Sequence, residues 1–222
     1  MKIRREVLPF LVFTVTAGTV AGLLLKEPRP VCVVTALAAS FVIYFFRDPD
    51  RCPPPEADAI LSGADGRVMS VSYQKEKDHL KTVCVRVSVF LNLFDVHVNR
   101  SPLSGKSVFI GYFPGKKLFA FREKSSEVNQ HNTILIEGTR TKCLVVQIVG
   151  PFARRVVYWL NPDHAEDVKS GDRIGMMKFG SRMDVYLPAT DVKVLVKRGD
   201  RVRAGETVIA RIRDIRRDGW VL

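Results

Sequence analysis

Apolar and polar positions change their rhythm twice along this chain. Residues 7–25, VLPFLVFTVTAGTVAGLLL, carry no charge, and after the break KEPRP a second uncharged run, VCVVTALAASFVIYFF, fills residues 31–46. The first run is close to the roughly 20 residues needed to cross a bilayer as a helix, and the second is somewhat shorter. Further on the pattern becomes alternating. Val83, Val85, Val87 and Val89 are interleaved with Cys84, Arg86 and Ser88, as in a half-buried strand. The same reading predicts strands at 67–73, 106–112, 133–137, 144–149, 155–160, 183–187, 192–196 and 207–212. Between them lie turn signals such as Ala64-Asp65-Gly66, Pro114-Gly115, Ser170-Gly171-Asp172 and Arg198-Gly199-Asp200. Many short strands and few helical stretches predict a mainly β protein, a compact barrel- or sandwich-like domain behind an N-terminal hydrophobic helical membrane anchor. The expected division is an anchoring part with a Pro-rich linker at 1–56 and a catalytic β-rich domain at 57–222, with RDPDRCPPPEA (47–57) as the clearest linker.

Three readings compete for the N-terminal runs. A cleaved signal peptide accounts for the basic start MKIRR, but the first apolar run is long for a signal core and a second follows directly. A buried hairpin of all-apolar helices is the soluble alternative. Length and the absence of charge favour a membrane hairpin. Lys2, Arg4 and Arg5 precede it and Arg47 and Arg51 follow it, which places both ends and the main domain on the cytoplasmic side.

Charge sharpens this picture. The formal net charge is +12, of which residues 1–46 hold +3 (five basic, two acidic), leaving +9 for the remainder. A basic domain beside a bilayer is drawn to anionic lipid. With no zinc-finger spacing and no aromatic RNA-binding pattern, lipid is the expected partner and nucleic acid is not. Cys32, Cys52, Cys84 and Cys143 form no CxxC pair, and the four histidines show no metal-ligand spacing. A reduced chain without a bound metal is expected.

The candidate chemistry lies in GMMKFGSRMDVYLP (175–188), where Gly180-Ser181 joins two apparent strands. A serine hydroxyl attacks the preceding carbonyl if the backbone bends towards it, and glycine removes the Cβ obstacle to that bend. The ester that forms can eliminate, releasing the upstream chain as a carboxylate and leaving dehydroalanine; water then hydrolyses the imine tautomer of that residue, ammonia leaves, and a pyruvoyl cap remains. Such chemistry needs a base, an orienting group and oxyanion donors. His97 in FDVHVNRSPLSG (94–105) and Asp65 in SGADGRV (62–68) are the candidates. By residue type alone, His97 also reads as a hydrogen-bonded structural histidine and Asp65 as a turn aspartate.

Five motifs, FFRDPDR (45–51), ADGRV (64–68), DVHVNRSPLSG (95–105), QIVGPFARRVVYW (147–159) and GMMKFGSRMDVYLP (175–188), stand in the order found in short-form, archaeal-type, pyruvoyl-dependent phosphatidylserine decarboxylases, and the chain resembles that family. The resemblance implies cleavage between Gly180 and Ser181 into a β chain (1–180) and an α chain (181–222) that stay together as a heterodimer, with higher oligomers left open. Ser181 would become the pyruvoyl group, the covalent cofactor that forms a Schiff base with the amine of phosphatidylserine and accepts electrons as CO2 leaves. Asp65 and His97 would support the cleavage. Arg154 and Arg155 are candidate contacts to phosphate or carboxylate, since a guanidinium binds either in bidentate fashion. The alternative is a biotinyl- or lipoyl-carrier-like domain modified at Lys178, because Met177-Lys178 and the later Gly199-Asp200 resemble the spacing in such carriers.

Overall fold

The computed structural model describes residues 2–26, 28–115, 129–150, 156–178 and 181–213, and the chain divides into two units, Met1–Asp50 and Arg51–Leu222. In the first unit, β1 (Lys2–Ile3) pairs antiparallel with β2 (Arg47–Asp48), on either side of helices α1 (Leu8–Leu25) and α2 (Pro28–Phe45). The helices approach closely at Gly18, where a Cβ would overlap the Thr35 side chain. Lys26, in the left-handed conformation, ends α1. Around both helices large apolar side chains stay exposed, among them Phe13, Leu23, Leu24, Val34 and Leu37. Both are long and apolar enough to cross a membrane, and a surface apolar on all sides suits lipid rather than water.

The second unit is built from strands. They are β3 (Ala59–Leu61), β4 (Gly66–Lys75), β5 (Val83–Leu91), β6 (Val98–Arg100), β7 (Gly105–Phe113), β8 (His131–Glu137), β9 (Lys142–Val149), β10 (Val156–Tyr158), β11 (Glu166–Val168), β12 (Arg173–Met177), β13 (Ser181–Pro188), β14 (Val192–Val194), β15 (Arg201–Val202) and β16 (Val208–Ile212). Eight form one sheet in the order β11-β7-β8-β9-β13-β5-β4-β15; two three-stranded sheets are ordered β10-β12-β6 and β14-β16-β3. The mainly β class and the helical anchor are as the sequence predicts. Among the described residues the large sheet does not close, so the architecture is one of packed open sheets and not a barrel. Its edges, β11 and β15, are only three and two residues long, too short to be joined into a ring.

Alternation sorts β13 and its neighbours into two faces. Met183, Val185 and Leu187 pack with Val85, Val87, Val89, Val145 and Val149 into the main core. Tyr186 joins Cys84, Leu144, Val146 and Ile148 in a smaller cluster on the other face. That second face also holds Arg182 and Asp184, both buried and paired through two 2.9 Å contacts. Removing one partner of a buried pair strands the other charge, at a cost of about 3–5 kcal/mol. Asp184→Leu is therefore expected to lower stability by about that amount, read as a loss of resistance to urea and to protease, whereas unchanged resistance would show that the pair does not hold β13.

Candidate functional site

The first residue of β13 is Ser181, placed between two strands. Its register partners are Leu91 on β5 and Val149 on β9, so its side chain falls on the core face with theirs, while Arg182 points the opposite way. Ser181 is fully buried, and its Oγ has no hydrogen-bond partner among the described residues. A buried hydroxyl is normally satisfied, so an unspent one at the end of a strand marks a place built for something other than packing.

One strand beyond β5 in the same row lies the Ser62–Asp65 loop. Gly66 opens β4 at φ 146°, and a Cβ there would collide with the Phe90 carbonyl, so only glycine lets β4 join β5 at this point. The Gly63 carbonyl accepts the Arg100 N–H at 2.9 Å, tying the loop to β6. Asp65 accepts from the Ala204 N–H at 2.7 Å and from Arg51 Nη2 at 2.8 Å; Arg51 also reaches Glu206 at 2.9 Å. Burial pushes the Asp65 carboxyl above the usual carboxylate range, against the opposing pull of the Ala204 N–H and the Arg51 guanidinium.

His97 is held at the mouth of β6. Its backbone carbonyl accepts the Met177 N–H at 3.1 Å, and Nδ1 lies 2.9 Å from the Asp95 carbonyl. A carbonyl can only accept, so Nδ1 carries the hydrogen and Nε2 is the basic nitrogen of the neutral ring. Asp95 shapes this segment further: its Oδ2 accepts the Asn92 N–H and its Oδ1 lies 3.4 Å from Arg201. Backbone contacts thus tie the Asp65 loop to β6 at Arg100 and the His97 carbonyl to β12 at Met177, while Gly63 lies against Met183, two residues along β13 from Ser181. Among the described residues no hydrogen bond joins Asp65 to His97: Asp65 is bonded to Arg51 and Ala204, and His97 Nδ1 meets the Asp95 carbonyl.

Two further residues lie within the quoted motifs but carry no role in the sequence reading. Asn99 and Gln147 are fully buried, and Gln147 Nε2 donates to Asn99 Oδ1 at 2.7 Å. Gln147 pairs with Met183 in the register of β9 and β13, so it is the diagonal neighbour of Ser181 on the same face. The bond between the two amides uses one donor and one acceptor, leaving Asn99 Nδ2 and Gln147 Oε1 with none among the described residues. A donor and an acceptor are therefore unspent beside an unspent hydroxyl. The available sequence signal is Gln147 itself, the one polar residue in the otherwise apolar Leu144–Val149 run.

Gly180, Arg154 and Arg155 lie outside the described residues. Lys178 is half-buried directly after β12, and β12 and β13 belong to different sheets, so the lysine does not sit at the exposed tip of a paired hairpin as a swinging-arm carrier requires. Among the described residues no group of three or more His, Cys, Asp or Glu is placed to hold a metal ion.

Known proteins resemble this chain over most of its length. Residues 38–210 match the family described as phosphatidylserine decarboxylase. A phosphatidylserine decarboxylase proenzyme from Desulfotalea psychrophila is 38% identical over 211 residues, covering 95% of this chain and 96% of the relative. Proteins of the same name from Carboxydothermus hydrogenoformans and Syntrophus aciditrophicus are 46% identical over 173 residues (78% of this chain, 80% of the relative) and 40% identical over 207 residues (92% and 95%). None of these relatives carries the name of a biotinyl or lipoyl carrier, and the carrier reading of Lys178 has no support.

Proposed function

The chain belongs to the phosphatidylserine decarboxylase family, and on that premise we propose that it is made as a proenzyme that cuts itself between Gly180 and Ser181. Ser181 becomes a pyruvoyl group, and the mature protein removes the carboxyl group of phosphatidylserine as CO2, leaving phosphatidylethanolamine. The observation that carries this reading is the buried Ser181 Oγ at the start of β13, which has no hydrogen-bond partner among the described residues.

In the cleavage step Ser181 Oγ attacks the carbonyl of residue 180, and His97 Nε2, kept basic by the Asp95 carbonyl on Nδ1, takes the hydroxyl proton. Asp65 adds a negative charge near this end of the sheet, where Arg51 and Ala204 fix its orientation. The residues present fit a pyruvoyl group at 181: the position is enclosed, and Asn99 Nδ2 is an unspent donor for a carbonyl oxygen. When formed, that group supplies the electron sink that loss of a carboxylate from an amino acid requires. The protein's part is then to bind the headgroup, exclude water and place proton donors.

After the cut the two fragments need no peptide link to stay together. The α chain, 181–222, would contribute β13, which is hydrogen-bonded between β5 and β9 of the β chain, and β16, which pairs with β3. Anionic lipid is the expected partner of the basic chain, and the charges flanking the two apolar helices favour the cytoplasmic side for the catalytic part. Carboxyl-labelled phosphatidylserine should release labelled CO2, and phenylhydrazine pre-treatment should abolish the release; release unaffected by the reagent would overturn the pyruvoyl reading.

The Arg51 contact gives a pH test. Asp65 already sits high because it is buried, and Arg51 is one of the groups holding it down. If ionised Asp65 supports cleavage, Arg51→Gln lets its pKa rise further and moves the acidic limb of the cleavage-rate profile to higher pH. A profile that keeps its position would separate Asp65 ionisation from maturation.

A further inference from the structure

We propose that the tight turn at Asn92–Asp95 is a membrane-inserting tip that docks the catalytic end of the large sheet on an anionic bilayer. The proposal rests on the decarboxylase reading only in naming why a lipid surface must meet this end. Leu93 and Phe94 are 44% and 64% exposed, although they follow the fully buried Leu91 and precede Asp95, which is 4% exposed. Two large apolar side chains facing outward side by side are unusual in a segment held this firmly.

The turn is rigid. Asp95 Oδ2 accepts the Asn92 N–H at 2.9 Å, Asn92 Oδ1 accepts the Phe94 N–H at 2.8 Å, and the Asn92 carbonyl accepts the Asp95 N–H at 3.1 Å. Such a turn presents its apolar residues without paying ordering entropy on contact. It also leads straight to the catalytic candidate, because the Asp95 carbonyl that closes the segment orients His97 Nδ1.

Around the tip the surface is basic. Arg201 reaches Asp95 at 3.4 Å with its side chain 72% exposed, and its register partner across β4 and β15 is the exposed Arg67. Arg198 and Arg203 are exposed on either side of β15. The acids nearby are engaged within the fold: Asp95 as above, Asp200 by the Lys197 N–H, and Glu206 by Arg51 at 2.9 Å with Arg203 3.8 Å away. An apolar wedge rimmed by arginines is the chemistry that binds the interface of an anionic bilayer. The same chain carries two helices apolar enough to cross a membrane, so a bilayer is the surface it meets first.

The test uses the full chain reconstituted into phosphatidylglycerol–phosphatidylcholine vesicles whose phosphatidylcholine is brominated on its acyl chains. Phe94→Trp adds an emitter at the tip, with the parent chain supplying the background from Trp159 and Trp220. The added emission is expected to be quenched at least twofold by the brominated lipid, whereas unquenched emission, with the tip in water or against a protein partner or a second copy, would overturn the proposal. A second arm compares turnover of vesicle-borne phosphatidylserine with that of its monomeric dihexanoyl form, per cleaved chain. In Leu93→Ser/Phe94→Ser the ratio should fall about tenfold, and an unchanged ratio would also overturn it. Quenching is read without catalysis, so a chain that never decarboxylates would sink the functional reading and leave the tip measurable, while normal decarboxylation with an unquenched tip would sink the tip alone.

Discussion

Ser181→Ala is expected to remain an uncut 222-residue chain with no decarboxylase activity. The substitution removes one oxygen from a fully buried site where that oxygen has no hydrogen-bond partner among the described residues. The fold therefore loses no hydrogen bond among the described residues through it, and β13 keeps its pairing with β5 and β9. What disappears is the only atom at position 181 able to attack a carbonyl. Gel analysis should show one band where the parent gives two, with unchanged resistance to protease. Normal cleavage in the variant would remove Ser181 from the chemistry altogether.

The second large effect is expected at His97. His97→Ala should slow the appearance of the two fragments by about 10²–10⁴-fold, the usual contribution of a positioned general base. The size follows from how the ring is held: Nδ1 is fixed at 2.9 Å from the Asp95 carbonyl, which leaves Nε2 as the nitrogen that takes a proton. Pulse-labelled precursor should persist for hours, and raising the pH should restore part of the rate as hydroxide replaces the missing base. Maturation at the parental rate would reduce His97 to a structural histidine that closes the Asp95 turn.

How much of this could be read before folding depended on whether one face of an element met water. β5 and β4 alternate because one side is buried and the other partly exposed, and both strands were legible as such. β6 and β12 were not. Val98, Asn99 and Arg100 are all buried, and so are Ile174 through Met177, so neither strand has a period to detect. The same burial hid Asn99 as a site residue, since nothing in VNR shows that its amide meets Gln147, 48 positions further on. Asp65 was legible as a turn residue with chemical potential, but its anchors come from Arg51, 14 positions before it, and Ala204, 139 positions after it. Sequence order carries no trace of such pairings. The apolar helices were the most legible elements, because lipid demands a continuous run rather than a pattern.

Which of the two forms, barrel or sandwich-like, the domain would take was not legible for a related reason. Alternation says that a strand has two faces, not that its edges find partners. Closure is decided by edge length and register, and here the edge strands are two and three residues long.

The most direct test of the whole account is the intact mass of the purified parent chain, taken before and after reaction with a hydrazine. Two species corresponding to 1–180 and 181–222 are predicted, the smaller one shifting by a single hydrazone because its first residue bears a carbonyl. A preparation that decarboxylates phosphatidylserine while showing one unmodified 222-residue mass would contradict it.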